Sequence, residues 1–214
     1  MAQVHQWSAV QVGRFKPLLF VLGLAAALRW VWLGFNDGLG VNPVEFLTRS
    51  SGTWTLVWLL VTLAITPLRR LSGQPALIRL RRMCGLFAFF YAFLHMLAWL
   101  WWDRGWDAAA VWRDLLERTF VQVGMVAFVM MAVLALTSTS RAMRAMGRRW
   151  QQLHRLVYVI GLLAIWHFWL HKAGKNDFGD PILYGLVLAL LLGWRLWAWH
   201  GRRRALKAAP ASIS

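Results

Sequence analysis

Six apolar runs, each able to cross a bilayer as a helix and each bounded by charged or polar residues, dominate this sequence. They lie at about Pro17 to Phe35, Gly52 to Pro67, Met83 to Trp102, Thr119 to Leu136, Leu153 to Leu170 and Pro181 to Trp199. Spanning roughly 30 Å of hydrocarbon takes about 20 helical residues. The second run is short, so its helix is expected to begin before Gly52. No alternating strand pattern is present, and only helices then satisfy the backbone in lipid. The expected fold is an all-α membrane protein, a six-transmembrane-helix bundle forming a single integral membrane domain over 1–214. AAALRW has the small residues of a signal-peptide cleavage site, but the apolar run continues through Trp30, Val31 and Trp32, so the first span is read as retained. No internal repeat is visible, and no loop is long enough for a nucleotide-binding domain.

Charge sets the orientation. The chain has 24 Lys and Arg against 8 Asp and Glu, a formal net charge of +16. A nucleic-acid binder could carry such a charge, but here the basic residues cluster between apolar runs, where they meet anionic lipid head groups. A nucleic-acid partner is therefore not expected. One set of flanks holds Arg14 and Lys16, the Arg69 to Arg82 cluster, the Arg141 to Arg155 cluster, and Arg202 to Arg204 with Lys207. The positive-inside rule makes that set cytoplasmic, with both termini inside. All 8 acids fall on the opposite side. Trp99, Trp101, Trp102 and Trp106 are expected to form an outer aromatic belt, and Trp194, Trp197 and Trp199 an inner one. The single cysteine, Cys84, excludes an internal disulfide and any cysteine-rich metal site.

Histidines inside spans ask for a chemical reason, because ionisable groups in the membrane are rare and usually functional. The third and fifth spans both start at basic cytoplasmic flanks and run outward in parallel. His95 lies 13 residues beyond Arg82, and His167 lies 13 residues beyond His154; each step is about 20 Å of helix. The two imidazoles therefore share a depth in the outer half of the membrane. Two neutral imidazoles facing each other across an apolar bundle suit the axial positions of a haem, a coordination that favours electron transfer. Phe89, Phe90, Phe93, Met96, Trp166, Phe168 and Trp169 would cover it. A zinc site would need further ligands at that depth, and only His171 is near. Carbonyl-bonded structural histidines remain the plain alternative.

His154 sits at the inner boundary, with no histidine of the third span at its depth. On an ideal helix it stands about 140° from His167, so a shared partner requires a bend, for which Gly161 offers a place. His171, one turn beyond His167 on the same face, is the competing ligand; it and His200 otherwise read as interfacial, and His5 as part of a mobile tail. Arg29, in the outer part of the first span, is a candidate partner for a haem propionate or a snorkelling side chain.

Three segments carry a resemblance: SGTWTLVWLLVTLAITPLRRL, LRRMCGLFAFFYAFLHMLAWLWWD and RRWQQLHRLVYVIGLLAIWHFWL. They resemble the MsrQ (YedZ) family, the haem-binding membrane subunit of the bacterial MsrPQ protein-methionine-sulfoxide reductase system. Its membrane core is similar to those of ferric reductases and NADPH oxidases. The resemblance implies haem b held between the third and fifth spans, with His95, His154 and His167 at the matching motif positions. It also implies an FMN and a location in the bacterial cell inner membrane. Electrons would come from the respiratory quinone pool, as quinol, or from a cytosolic flavin reductase. They would pass to a periplasmic molybdopterin-containing methionine sulfoxide reductase subunit that repairs oxidised proteins, so substrate chemistry belongs to the partner. The related oxidases carry a second third-span histidine, whereas the residue 14 before His95 is Arg81, which leaves a second haem open. Two other readings compete: a cytochrome b anchor of another redox complex, and a histidine-dependent transporter, against which the shortage of intramembrane acids counts.

Overall fold

The computed structural model describes residues 7–208; His5 lies outside them. Helices α1 (Ala9–Arg14), α2 (Lys16–Phe35), α3 (Pro43–Leu71), α4 (Arg81–Ala98) and α5 (Ala108–Glu117) are followed by α6 (Thr119–Leu136), α7 (Ser140–Met146), α8 (Arg148–Leu153), α9 (Leu156–Ala173) and α10 (Gly179–Ala208). A 3-10 segment, Pro75–Leu80, leads into α4, and a π turn, Trp99–Asp103, leaves it. No strand occurs among the described residues. Six helical stretches have the length and composition to cross a membrane: Val10–Phe35, Pro43–Leu71, Pro75–Asp103, Thr119–Leu136, Arg148–Ala173 and Gly179–Arg204.

Local signals explain the helix starts. Ser8 and Gln11 form a reciprocal capping box at α1. Asn42 caps α3 through the Glu45 amide, with Pro43 in the first turn where its missing N–H costs nothing. That start carries the second span nine residues beyond the apolar run, so the polar segment Thr48 to Ser51 is helical, with Thr48 and Ser51 meeting His95 of the third span. Asp107 caps α5 through the amides of Ala109 and Ala110.

Helix α3 is the centre of the bundle. Half of its most apolar window is buried, against 6% for the sixth span, so α10 lies at the periphery. Leu59, Leu63, Cys84, Ala88, Tyr91 and Ile160 form the core where α3, α4 and α9 meet. Helix α2 docks on this core through three polar contacts, Tyr91 Oη donating to the Gly23 carbonyl at 2.6 Å, Ala27 N donating to Tyr91 Oη at 3.4 Å and Trp30 Nε1 donating to Ser50 Oγ at 3.1 Å. Many large apolar side chains, among them Trp32, Leu183 and Leu190, point outward, as a lipid-facing surface requires.

The bend expected at Gly161 is elsewhere. Helix α8 ends at Leu153, and α9 begins at Leu156. His154 and Arg155 lie in the break, tightened by three-residue bonds from Arg155 N to Gln152 O and from Tyr158 N to Arg155 O. The ideal-helix angle between His154 and His167 therefore does not apply. Gly161 is a packing position instead: a Cβ there would stand 3.1 Å from Leu188 of α10.

Arg195 lies in the apolar middle of α10, where no sequence motif marks it. Pro67 explains its place. Proline has no N–H, so inside α3 the carbonyl four residues earlier, that of Leu63, loses its helical donor. Arg195 Nη2 donates to that carbonyl at 2.6 Å, and Nη1 donates to Tyr158 Oη at 2.9 Å. One side chain thus ties α10 to α3 and α9.

Every ion pair among the described residues uses an acid from the set assigned to the outer side. Asp114, buried, pairs with Arg104 and Arg118 and holds α5 to the neighbouring turns. Lys172, also buried, pairs with Asp177 and so closes the turn between α9 and α10. This pairing holds the Asp177 carboxyl below its ordinary value of 3.8. A depressed carboxylate contributes stability above the ordinary value and loses it as pH falls through the folded one. Asp177→Asn is accordingly expected to lower the thermal midpoint in detergent by a constant amount above about pH 4, with the difference from the parent vanishing at lower pH.

Candidate functional site

One end of the bundle brings two histidines face to face. His95 is in the last turn of α4, and His167 is in the C-terminal half of α9. Their ring centroids are 6.1 Å apart and their planes cross at 83°. Helix pairs α3–α4 and α6–α9 pack closely, whereas α4 and α9 have no comparable backbone contact. The imidazoles therefore reach towards each other across a gap between helices.

Each ring is held by a neighbouring helix. His95 Nδ1 donates to the Thr48 carbonyl of α3 at 2.8 Å, with Ser51 Oγ a further 3.4 Å contact. His167 Nδ1 donates to the Phe120 carbonyl of α6 at 2.7 Å. A carbonyl only accepts, so each Nδ1 must carry the proton. Each Nε2 is then an unprotonated lone pair, and it has no hydrogen-bond partner among the described residues. This is the tautomer that a metal-ligating histidine adopts when a carbonyl fixes its other nitrogen. Two imidazoles bound to one metal from opposite sides, with nitrogens about 2 Å from it, place their centroids roughly 6 Å apart. The observed separation of 6.1 Å matches that spacing. Thr48 supplies a further sign: its Oγ1 is buried beside the pair without a partner.

The other expected residues separate. His154 Nδ1 donates to the Trp150 carbonyl at 3.1 Å, Ser138 Oγ lies 3.3 Å from its Nε2, and its ring stacks on Trp150 at 3.9 Å. Both of its nitrogens are thus engaged within the connection between α6 and α9. His171 is exposed, edge-on to Phe120, and is not drawn into the pair. Arg29 is exposed on α2 and makes no ion pair among the described residues. Phe89 packs against Phe93 and Phe128 near the site. Trp166 and Trp169, expected to cover it, point outward and line an apolar groove of about 270 Å³ against α10, with Gly185 and Leu188 on its far side. No group of three or more His, Cys, Asp or Glu that could hold a metal ion occurs among the described residues.

The carbonyls of Thr48 and Phe120 are beyond a sequence reading, since any residue supplies one. Comparison with known proteins gives the family. Residues 51–165 match the family described as ferric reductase like transmembrane component. The chain is 70% identical to the protein-methionine-sulfoxide reductase heme-binding subunit MsrQ of Bordetella pertussis, over 94% of this chain and 97% of that one. It is 54% identical to the MsrQ of Ralstonia nicotianae over 90% of both chains, and 45% identical to that of Xanthomonas euvesicatoria over 88% of both. The chain belongs to the MsrQ family. Membership makes it a multi-pass membrane protein with a ferric-reductase-like core. In this member of the MsrQ family the matched region holds Ser51, His95, Phe120 and His154, and ends two residues before His167.

Proposed function

We propose that this chain is a transmembrane electron-transfer subunit in which His95 and His167 hold the iron of a b-type haem. The observation that carries the reading is the facing pair, 6.1 Å apart, with each Nδ1 fixed on a helix carbonyl. Bound haem supplies a one-electron iron couple with no open coordination position, which suits relay rather than oxygen chemistry. The chain's own residues do the rest. Thr48 and Phe120 fix the tautomer and the ring orientation. The apolar walls of α4, α6 and α9 keep bulk water from the pair. Arg29, without an ion pair among the described residues, is the cation offered to a propionate.

Both termini lie on the cytoplasmic side of the bacterial inner membrane, and the pair lies near the periplasmic face. An electron at that depth is close to a soluble partner, the molybdopterin-containing methionine sulfoxide reductase. The relatives are named heme-binding subunits of a protein-methionine-sulfoxide reductase, which supports a reductase of that kind as the partner. Quinol or a cytosolic flavin reductase acts as donor from the inner side. There, Arg79, Arg81, Arg82, Arg148, Arg149 and Arg155 form the basic flank an FMN phosphate would meet.

A dithionite-reduced minus oxidised spectrum of the purified protein tests the reading. The expected result is a b-type haem signal; a colourless protein prepared with ample haem refutes it. His154→Ala should keep the low-spin signal of the outer pair, because its nitrogens are committed to Trp150 and Ser138. Loss of that signal in His154→Ala would mean that the pair has been misassigned.

A further inference from the structure

The two histidines are seated in the same way, although the sequence shows no repeat. In both cases 47 residues separate the histidine from the carbonyl that holds it. In both cases a glycine stands four residues after that carbonyl: Gly52 after Thr48, and Gly124 after Phe120. A Cβ on Gly52 would lie 3.1 Å from His95 Cε1 and 3.2 Å from its Nδ1. A Cβ on Gly124 would lie 2.7 Å from His167 Nδ1 and 2.8 Å from its Cε1. The coincidence has a geometric cause. In an α-helix the carbonyl of residue i points at the amide of residue i+4, so a ring that shares the carbonyl must lie across residue i+4.

We propose that Gly52 and Gly124 are the positioning residues that set the planes of His95 and His167. Each forms half of a seat: a helix carbonyl takes the Nδ1 proton, and the glycine one turn on admits the flat face of the ring. The inference rests on the functional reading above and deepens it. Two equivalent seats, one on α3 and one on α6, turn the rings to the observed 83° crossing. Nearly perpendicular axial planes leave two iron d orbitals close in energy, which gives a strongly anisotropic ferric low-spin EPR signal. That signal reads the seats directly.

Helix propensity gives the sign of the control. Alanine in a helix interior is favoured over glycine by about 1 kcal/mol, so a purely structural effect of Gly→Ala is stabilising. A Cβ on Gly193 of α10 would meet nothing within 4 Å, and Gly193→Ala tests that effect alone. Haem content, spin state and ferric EPR would be measured on the full-length haem-loaded protein. Gly124→Ala should lose the parent's low-spin signal. Gly52→Ala, where the neighbour need give only a few tenths of an ångström, should shift it by less, and Gly193→Ala should leave it unchanged. Parent-like spectra in both Gly124→Ala and Gly52→Ala overturn the proposal, as does a shift in Gly193→Ala equal to that of Gly124→Ala. If Gly124→Ala yields no folded protein, Gly52→Ala decides: a parent-like signal overturns the proposal and a shifted one supports it. A parent without any haem signal refutes the functional reading instead, so the two failures are distinct.

Discussion

His95→Ala and His167→Ala are each expected to abolish the six-coordinate low-spin signal, leaving haem that is high-spin or lost on purification. The size of the effect follows from the site's economy. Among the described residues two imidazoles face the gap, and each already spends its Nδ1 on a carbonyl. No third imidazole among the described residues is placed to substitute, since His171 is exposed beside Phe120. His171→Ala should therefore match the parent in spectrum and haem content. Imidazole added to His167→Ala provides the decisive control. Recovery of the low-spin signal shows that a ligand was lost from an intact bundle, and its absence in a well-folded variant points to a different ligand. Retention of six-coordinate haem in both alanine variants would mean that the pair does not hold the iron.

The pair was legible in the sequence because depth is encoded by distance from a basic flank. His95 and His167 each stand 13 residues beyond a marker of the inner boundary, and a helix converts that spacing into height. What surrounds the pair was less legible. Trp166 and Trp169 are as apolar as any porphyrin-covering residue, yet they face the groove against α10. Hydrophobic periodicity separates inside from outside in water, but in lipid both faces of a helix are apolar, and the signal is lost. The break at His154 was hidden for a related reason. Neither proline nor glycine marks it, and Gly161, which looked like a hinge, is there to let Leu188 approach. The seats at Gly52 and Gly124 were invisible because the other half of each is a backbone carbonyl. Arg195 was not singled out in the sequence, because its partner is the Leu63 carbonyl that Pro67 leaves without a helical donor.

Arg195→Ala is expected to destabilise the bundle by about 2 kcal/mol, from the loss of charged hydrogen bonds to Leu63 O and Tyr158 Oη. In a protein of this size that corresponds to a fall of roughly 4 to 8 °C in thermal midpoint. The single variant mixes two effects of opposite sign. Removing the guanidinium also relieves a desolvated cation that has no carboxylate partner among the described residues, with its Nε buried and unpaired. A double-mutant cycle with Pro67→Ala isolates the carbonyl. Alanine at 67 restores an N–H to the helix, and that N–H reaches the Leu63 carbonyl without help from α10. Arg195→Ala should then cost about 1 kcal/mol less in the Pro67→Ala background than in the parent. The desolvation effect is common to both backgrounds and cancels. Equal costs in the two backgrounds would show that Arg195 is held by Tyr158 and the cation–π contact over its ring, 5.1 Å from the guanidinium carbon, and not by the proline's missing hydrogen bond.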